Sequence, residues 1–353
     1  MKKTISLFLA AILLLSVLFT AVSCRKDEAA PETTEEPIST EESAPTEVPD
    51  VTEPPTEETD VPPEPADPSP LLWRVTDDDG HTLYLFGTIH VGDKRNNAVL
   101  ERVSPLLESC DALAVEFDVV AYEGNLQQLT RDMMQYVLTD GSVVSDYMPE
   151  EMYQTTYDLL QKAGLMPSVF EQYNLAWWSQ MVQSAMLEVY ADLDVNKGMD
   201  RLLIRHAYDK EIPVLDVESA QFQMTLLNSF DNELYLLQIE HELQQIETYN
   251  DDTNMLYELW LSGDRDAFWS FIANEFDDDA ESYTEEQLAL MEDYNYRLVD
   301  ERNLGMRDKA IEYLNSGETV FFAVGAAHMA NETGLVQLLI DAGYTVEQIA
   351  YGE

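Results

Sequence analysis

The sequence has two cysteines, Cys24 and Cys110. That excludes a disulfide-framed module, whose stability rests on several paired bridges. Basic residues are also scarce, with 19 Lys and Arg against 68 Asp and Glu for a formal net charge of -49. So negative a surface repels phosphate backbones and anionic head groups, which argues against any nucleic-acid partner. No Gly-rich phosphate loop occurs, and no G-x-S-x-G element suggests a serine hydrolase. His241-Glu242 would open an H-E-x-x-H zinc site, but Gln245 stands where the second histidine is needed. The run from Asp192 to Gly198 imitates a calcium loop, but its glycine is one place late and Leu203 replaces the closing glutamate. No repeat of fixed period is present.

The front of the chain reads as an address rather than a fold. Met1-Lys2-Lys3 precedes an apolar stretch from Ile5 to Val22, and Ala21-Val22-Ser23 precedes Cys24. This is a signal-peptide pattern over residues 1–23 and resembles a bacterial lipobox, with Ala21 where leucine is usual. The resemblance implies cleavage before Cys24, lipidation of its thiol, and a protein anchored to the membrane from outside the cytoplasm. Residues 27–70 carry 15 acids, no base and many prolines. Such a segment buries too little apolar surface to offset its ordering entropy, so 24–70 reads as a disordered spacer. Cys110 ends an apolar helical pattern and reads as a small core residue.

Residues 71–353 remain as a domain. Leu71 to Val75 and Thr82 to Phe86 are strand-like runs around Asp77-Asp78-Asp79-Gly80, which predicts a hairpin. Further strands are expected at Ala112–Phe117, Pro213–Val217, Thr319–Val324 and Thr345–Ile349. Helical patterns occupy Asn97–Ser109, an interrupted stretch from Leu126 to Tyr190, Gly198–Asp209, Ala220–Asn315 and Gly334–Ala342. Few strands joined by many helices predict an α/β (α+β) fold, with a mixed central sheet covered by helices and a large helical insertion.

Two segments carry chemistry. Leu83 to Phe86 runs into Gly87-Thr88-Ile89-His90, and Val320 to Val324 runs into Gly325-Ala326-Ala327-His328. Each is an apolar strand entering a glycine, with a histidine three residues on. The glycine allows close backbone approach, and the histidine emerges where a sheet edge meets solvent. Imidazole there is either a metal ligand, a general base or a hydrogen-bonded core residue. His81 and His206 read as structural or solvated, Trp177-Trp178 as helix packing, and Asp277-Asp278-Asp279 as a solvated run.

The ordered set of segments resembles the TraB/GumN/Tiki family. The resemblance is carried by the first motif, Val115-Glu116-Phe117-Asp118, Gly198-Met199-Asp200, Ile212 to Glu218, Glu301-Arg302-Asn303 with Met306, and the second motif through Gly343-Tyr344-Thr345-Val346. It departs at Asp200, where many members have Glu, and at Asp216, where Leu is usual. Animal Tiki members act as membrane-tethered metalloproteases, and a plasmid member is linked to shutting down a peptide pheromone. The resemblance therefore implies a divalent-metal-dependent hydrolase of peptides or proteins, with Mn²⁺ or Co²⁺, or else Zn²⁺, as the ion. The alternative is a tethered module that sequesters a peptide or small ligand without turnover. His90, His328 and Glu116 are the expected ligands. Glu116, Glu218 and Arg302 are the expected catalytic groups, with Glu218 either ligand or base. Arg302 either stabilises an oxyanion or pairs with a carboxylate. Gly87, Asp118, Asp200, Asn303 and Gly325 are expected to orient them.

Overall fold

The computed structural model describes residues 71–274 and 282–349. The signal, lipobox and spacer, and the Asp277-Asp278-Asp279 run, lie outside the described residues. Six strands form one sheet in the order β4-β3-β5-β2-β1-β6. They are β1 (Leu72–Thr76), β2 (Thr82–Thr88), β3 (Ala112–Val115), β4 (Val214–Asp216), β5 (Val320–Gly325) and β6 (Thr345–Gln348). β4, β3, β5 and β2 run parallel, while β1 is antiparallel to both β2 and β6. This is the mixed sheet that the sequence predicts.

The parallel strands are apolar because helices cover both their faces. Every residue of β3 (Ala-Leu-Ala-Val) and of β5 (Val-Phe-Phe-Ala-Val-Gly) is buried. β6, at the other edge, is largely exposed. Asp77 closes the β1–β2 turn by accepting from the backbone N–H groups of Asp79 and His81, and Gly80 takes φ +90°, which side chains rarely adopt.

The helices are α1 (Arg95–Leu107), α2 (Val119–Gly124), α3 (Leu126–Met133), α4 (Glu150–Lys162), α5 (Leu175–Tyr190), α6 (Met199–Asp209), α7 (Ala220–Leu227), α8 (Asn232–Gln244), α9 (Tyr249–Ser262), α10 (Arg265–Asn274), α11 (Glu285–Asn295), α12 (Glu301–Ser316) and α13 (Leu335–Asp341). The interrupted middle stretch resolves into α3, α4 and α5. α5 packs between α4 and α8 and is buried on all sides from Leu175 to Leu187. Trp177 and Trp178 lie wholly inside it, in the packing role expected of them. A π-helical turn, Tyr296–Asp300, joins α11 to α12 and was not legible in the sequence. Among the described residues, no helix is long and apolar enough to cross a membrane.

Candidate functional site at the carboxyl edge of the sheet

Four adjacent parallel strands end at the same edge, and each leads into one candidate residue. β2 leads to His90, β5 to His328, β3 to Glu116 and β4 to Glu218. The carboxyl edge of a parallel sheet is where open α/β folds place ligands. The register keeps the ends level, with Thr88 opposite Gly325 and Val115 opposite both Ala323 and Asp216. The β3–β4 ladder continues past the strands through Val217 N–H to Val115 O and Glu218 N–H to Glu116 O. Glu116 and Glu218 are thereby held side by side.

The two glycine–histidine segments touch directly. A Cβ on Gly87 would lie 3.2 Å from both Cα and Cβ of Ala326 and 3.3 Å from Cβ of Leu71. Glycine is favoured there by close packing rather than by an unusual φ. Trp260 of α9 holds the same spot, donating from Nε1 to Gly87 O at 2.8 Å. Gly325 contributes its backbone N–H, which donates to Glu116 Oε1 at 2.9 Å.

Arg302, 3 % exposed, sits across the two carboxylates. Its Nη2 donates to Glu116 Oε2 at 2.6 Å and Glu218 Oε2 at 2.8 Å, and its Nε donates to Glu218 Oε1 at 3.0 Å. Nη1 donates to Leu298 O, a carbonyl of the π-helical turn, at 3.1 Å. Gln223 bridges the same pair, its Nε2 donating to Glu116 Oε2 and Glu218 Oε2, each at 2.9 Å. Glu116 is thus fixed by three donors. One lone pair of Oε1 stays open toward His328 Nε2, 3.8 Å away.

Each histidine has its Nδ1 beside a side-chain oxygen. His328 Nδ1–H donates to Asn303 Oδ1 at 2.7 Å, and Asn303 Nδ2 donates to Thr333 O at 2.9 Å. The second bond turns the amide oxygen toward the ring, so the first sets the Nδ1–H tautomer and leaves Nε2 with its lone pair. His90 Nδ1 lies 3.1 Å from Asp200 Oδ1. α6 supplies Asp200, and its start is tied to the first motif by Met199 N–H donating to Ile89 O.

The electrostatics separate the two rings. Burial alone would lower the His90 pKa, but the carboxylates of Asp200 and Glu116 raise it above the ordinary histidine value. Burial and the facing Arg302 guanidinium press His328 down to about 3, leaving it neutral. Burial would raise Glu116, yet Arg302, both imidazoles and the Gly325 N–H together pull it down to about 2. Arg302 itself is raised, against its burial, by Glu218 and Glu116.

The other expected residues fall elsewhere. Asp118 caps α2 by accepting from Ala121 N–H, and its second oxygen accepts from Tyr208, so its carboxylate is bound outside the cluster. His81 pairs with Asp77 at 2.7 Å, and His206 with Glu108 at 3.0 Å. Cys110 is buried. Gln223 and Thr88 belong to the site but were not singled out in the sequence. For Gln223 a signal existed. Ser219 accepts from Phe222 N–H and starts α7 directly after Glu218, which turns the next helical face back toward that carboxylate.

The donor set suits a divalent cation: His328 with its Nδ1 held by Asn303, His90 with its Nδ1 beside Asp200, and a carboxylate with one free lone pair. Two ligands each about 2.1 Å from one ion lie at most about 4.2 Å apart, and His328 Nε2 and Glu116 Oε1 meet that limit at 3.8 Å. Among the described residues, no three His, Cys, Asp or Glu side chains are grouped closely enough to hold an ion.

No curated protein and no solved structure matches the chain. The model of the TraB/PrgY/gumN family matches residues 71–348, which takes in all six strands and every residue of the network. The chain belongs to the TraB/PrgY/gumN family.

Proposed function

We propose that this protein is a hydrolase acting on peptide bonds, tethered outside the cytoplasmic membrane through a lipid on Cys24. One observation carries the chemistry: His90, His328, Glu116 and Glu218 leave four neighbouring strands at one edge, with Arg302 buried across the carboxylates. Glu116, through its open Oε1 lone pair, with His90 and His328, would hold a divalent ion, Mn²⁺, Co²⁺ or Zn²⁺. Such an ion supplies Lewis-acid polarisation of a carbonyl and acidifies a water molecule. Arg302 balances the carboxylate charge and keeps a positive guanidinium near developing negative charge. Gln223 keeps Glu116 and Glu218 at fixed separation. Asn303 holds His328 in one tautomer.

The test is incubation of the purified protein with a diverse peptide library, without metal and with Mn²⁺, Co²⁺ or Zn²⁺, and mass-spectrometric reading of cleavage. Cleavage that vanishes in His90→Ala and in His328→Ala is the expected result. Cleavage that survives both, or none with any of the three metals, defeats the reading. In the second case a non-catalytic sequestering role takes its place. That role is favoured by one feature, the commitment of Oε2 of both glutamates to Arg302 and Gln223. For the tether, Cys24→Ala should move the protein from the membrane fraction to the medium or periplasm.

A further inference from the structure

A pocket beside the network is lined by Thr88, His90, Glu116, Asp200 and Gln223, with apolar walls that include Phe117. Three buried polar atoms there have no hydrogen-bond partner: Thr88 Oγ1, His90 Nδ1 and Asp200 Oδ1. Their residues are 1 %, 6 % and 8 % exposed. The last two atoms are 3.1 Å apart but off the alignment a direct hydrogen bond needs, so both keep an unfilled valence. A buried hydroxyl without a partner is unfavourable, and proteins keep few of them. Thr88 does not need its hydroxyl for packing, since valine has the same shape. The internal space is about 20 Å³. That is room for one water molecule, and a buried water is stable where two to four polar atoms meet it.

We propose that Thr88 and Asp200, beside His90, form a single-water site, and that this water is the nucleophile of the hydrolysis proposed above. The inference rests on that reading for its second half only. The hydroxyl and the carboxylate fix the water from two directions, next to the imidazole and Glu116. In the reaction the water oxygen bonds to the scissile carbonyl carbon and the carbon–nitrogen bond breaks. The two water hydrogens end on the new carboxyl group and the departing amine. Thr88 thus acts by positioning a reacting atom.

The experiment compares the wild type with Thr88→Val and Thr88→Ser, by high-resolution crystallography, thermal unfolding and kinetics on a peptide from the screen. The wild type and Thr88→Ser should show an ordered water within hydrogen-bond distance of residue 88 and Asp200, and Thr88→Val should lack it. Thr88→Val should melt lower than Thr88→Ser, because loss of the water leaves His90 Nδ1 and Asp200 Oδ1 buried without a partner. Its kcat should fall about tenfold with KM little changed, the loss of one positioning hydrogen bond, and Thr88→Ser should recover most of the rate. A wild-type Thr88 bonded to a protein atom with no water, or a Thr88→Val protein that melts with Thr88→Ser, overturns the site. A Thr88→Val enzyme at the wild-type kcat overturns the nucleophile role and leaves the hydrolase standing. An ordered water in a protein that cleaves no peptide upholds the site and removes the hydrolase reading instead.

Discussion

Replacing Arg302 by Met keeps the volume and removes the charge. Glu116 and Glu218, with side chains 10 % and 11 % exposed, would then face each other without their cation. Breaking a buried ion pair from one side costs about 3–5 kcal/mol. A second route gives a similar figure. Glu116 is held at about 2 against an ordinary 4.5, which corresponds to about 3 kcal/mol of folding free energy at neutral pH. Because its folded value is depressed, this contribution is complete above the ordinary carboxyl range. It is lost as pH falls from about 4.5 toward about 2. For a domain of this size about 3 kcal/mol lowers Tm by about 6 °C or more. Thermal melts in chelator, from pH 7 down to pH 2.5, should show Arg302→Met melting lower at neutral pH and losing part of the acid slope of the wild type. The triple variant Glu116→Gln/Glu218→Gln/Arg302→Met should recover part of the loss, because no charge is left buried. An Arg302→Met protein that melts within 1 °C of the wild type, or a triple variant as unstable as the single one, would refute the reasoning.

Three further outcomes are expected. Asn303→Leu leaves His328 Nδ1–H buried without its acceptor, which should cost about 1–3 kcal/mol in denaturant unfolding; a neutral result would mean that the ring has another partner. Gly198→Ala places a methyl 2.4 Å from His90 O, so it should destabilise by about 1–3 kcal/mol and shift the His90 ring resonances in NMR spectra. Burial pushes the Cys110 thiol up to about 12, so at pH 8 it stays protonated and should react with a disulfide reagent only after unfolding. Fast labelling of the native protein would contradict that burial.

Much of the sheet was legible because its determinants are local. β5 is a six-residue apolar run with no charge, and β1 and β2 flank a turn whose Asp77 and Gly80 have one purpose each. The histidines and Glu116 were legible for a related reason, since each lies just past the end of an apolar strand. Gln223 was marked only indirectly, by the cap at Ser219 that turns α7 back toward Glu218. Thr88 was hidden between the two residues that define its motif, and only an unfilled valence distinguishes it. Asp118 shows the opposite failure. The apolar run suggested a strand through Phe117, but the strand ends at Val115, its ladder reaches only to Glu116, and Asp118 is used to start α2, a helix too short to declare itself in the sequence. The π-helical turn before Arg302 has no sequence mark at all; its Leu298 carbonyl is legible only as an acceptor for the guanidinium.

The contact between Gly87 and Ala326 also has a bearing on how the molecule comes into being. Leu83 aligns with Val320, so the ladder that levels the two histidines joins stretches at opposite ends of the domain. Closing so large a loop is entropically demanding, and pairing of this kind forms late and slowly. Neither portion holds a competent fragment of the machinery. A nascent chain would therefore lack this edge until its final strands arrive, and any cut that removes them would erase both motifs' geometry together.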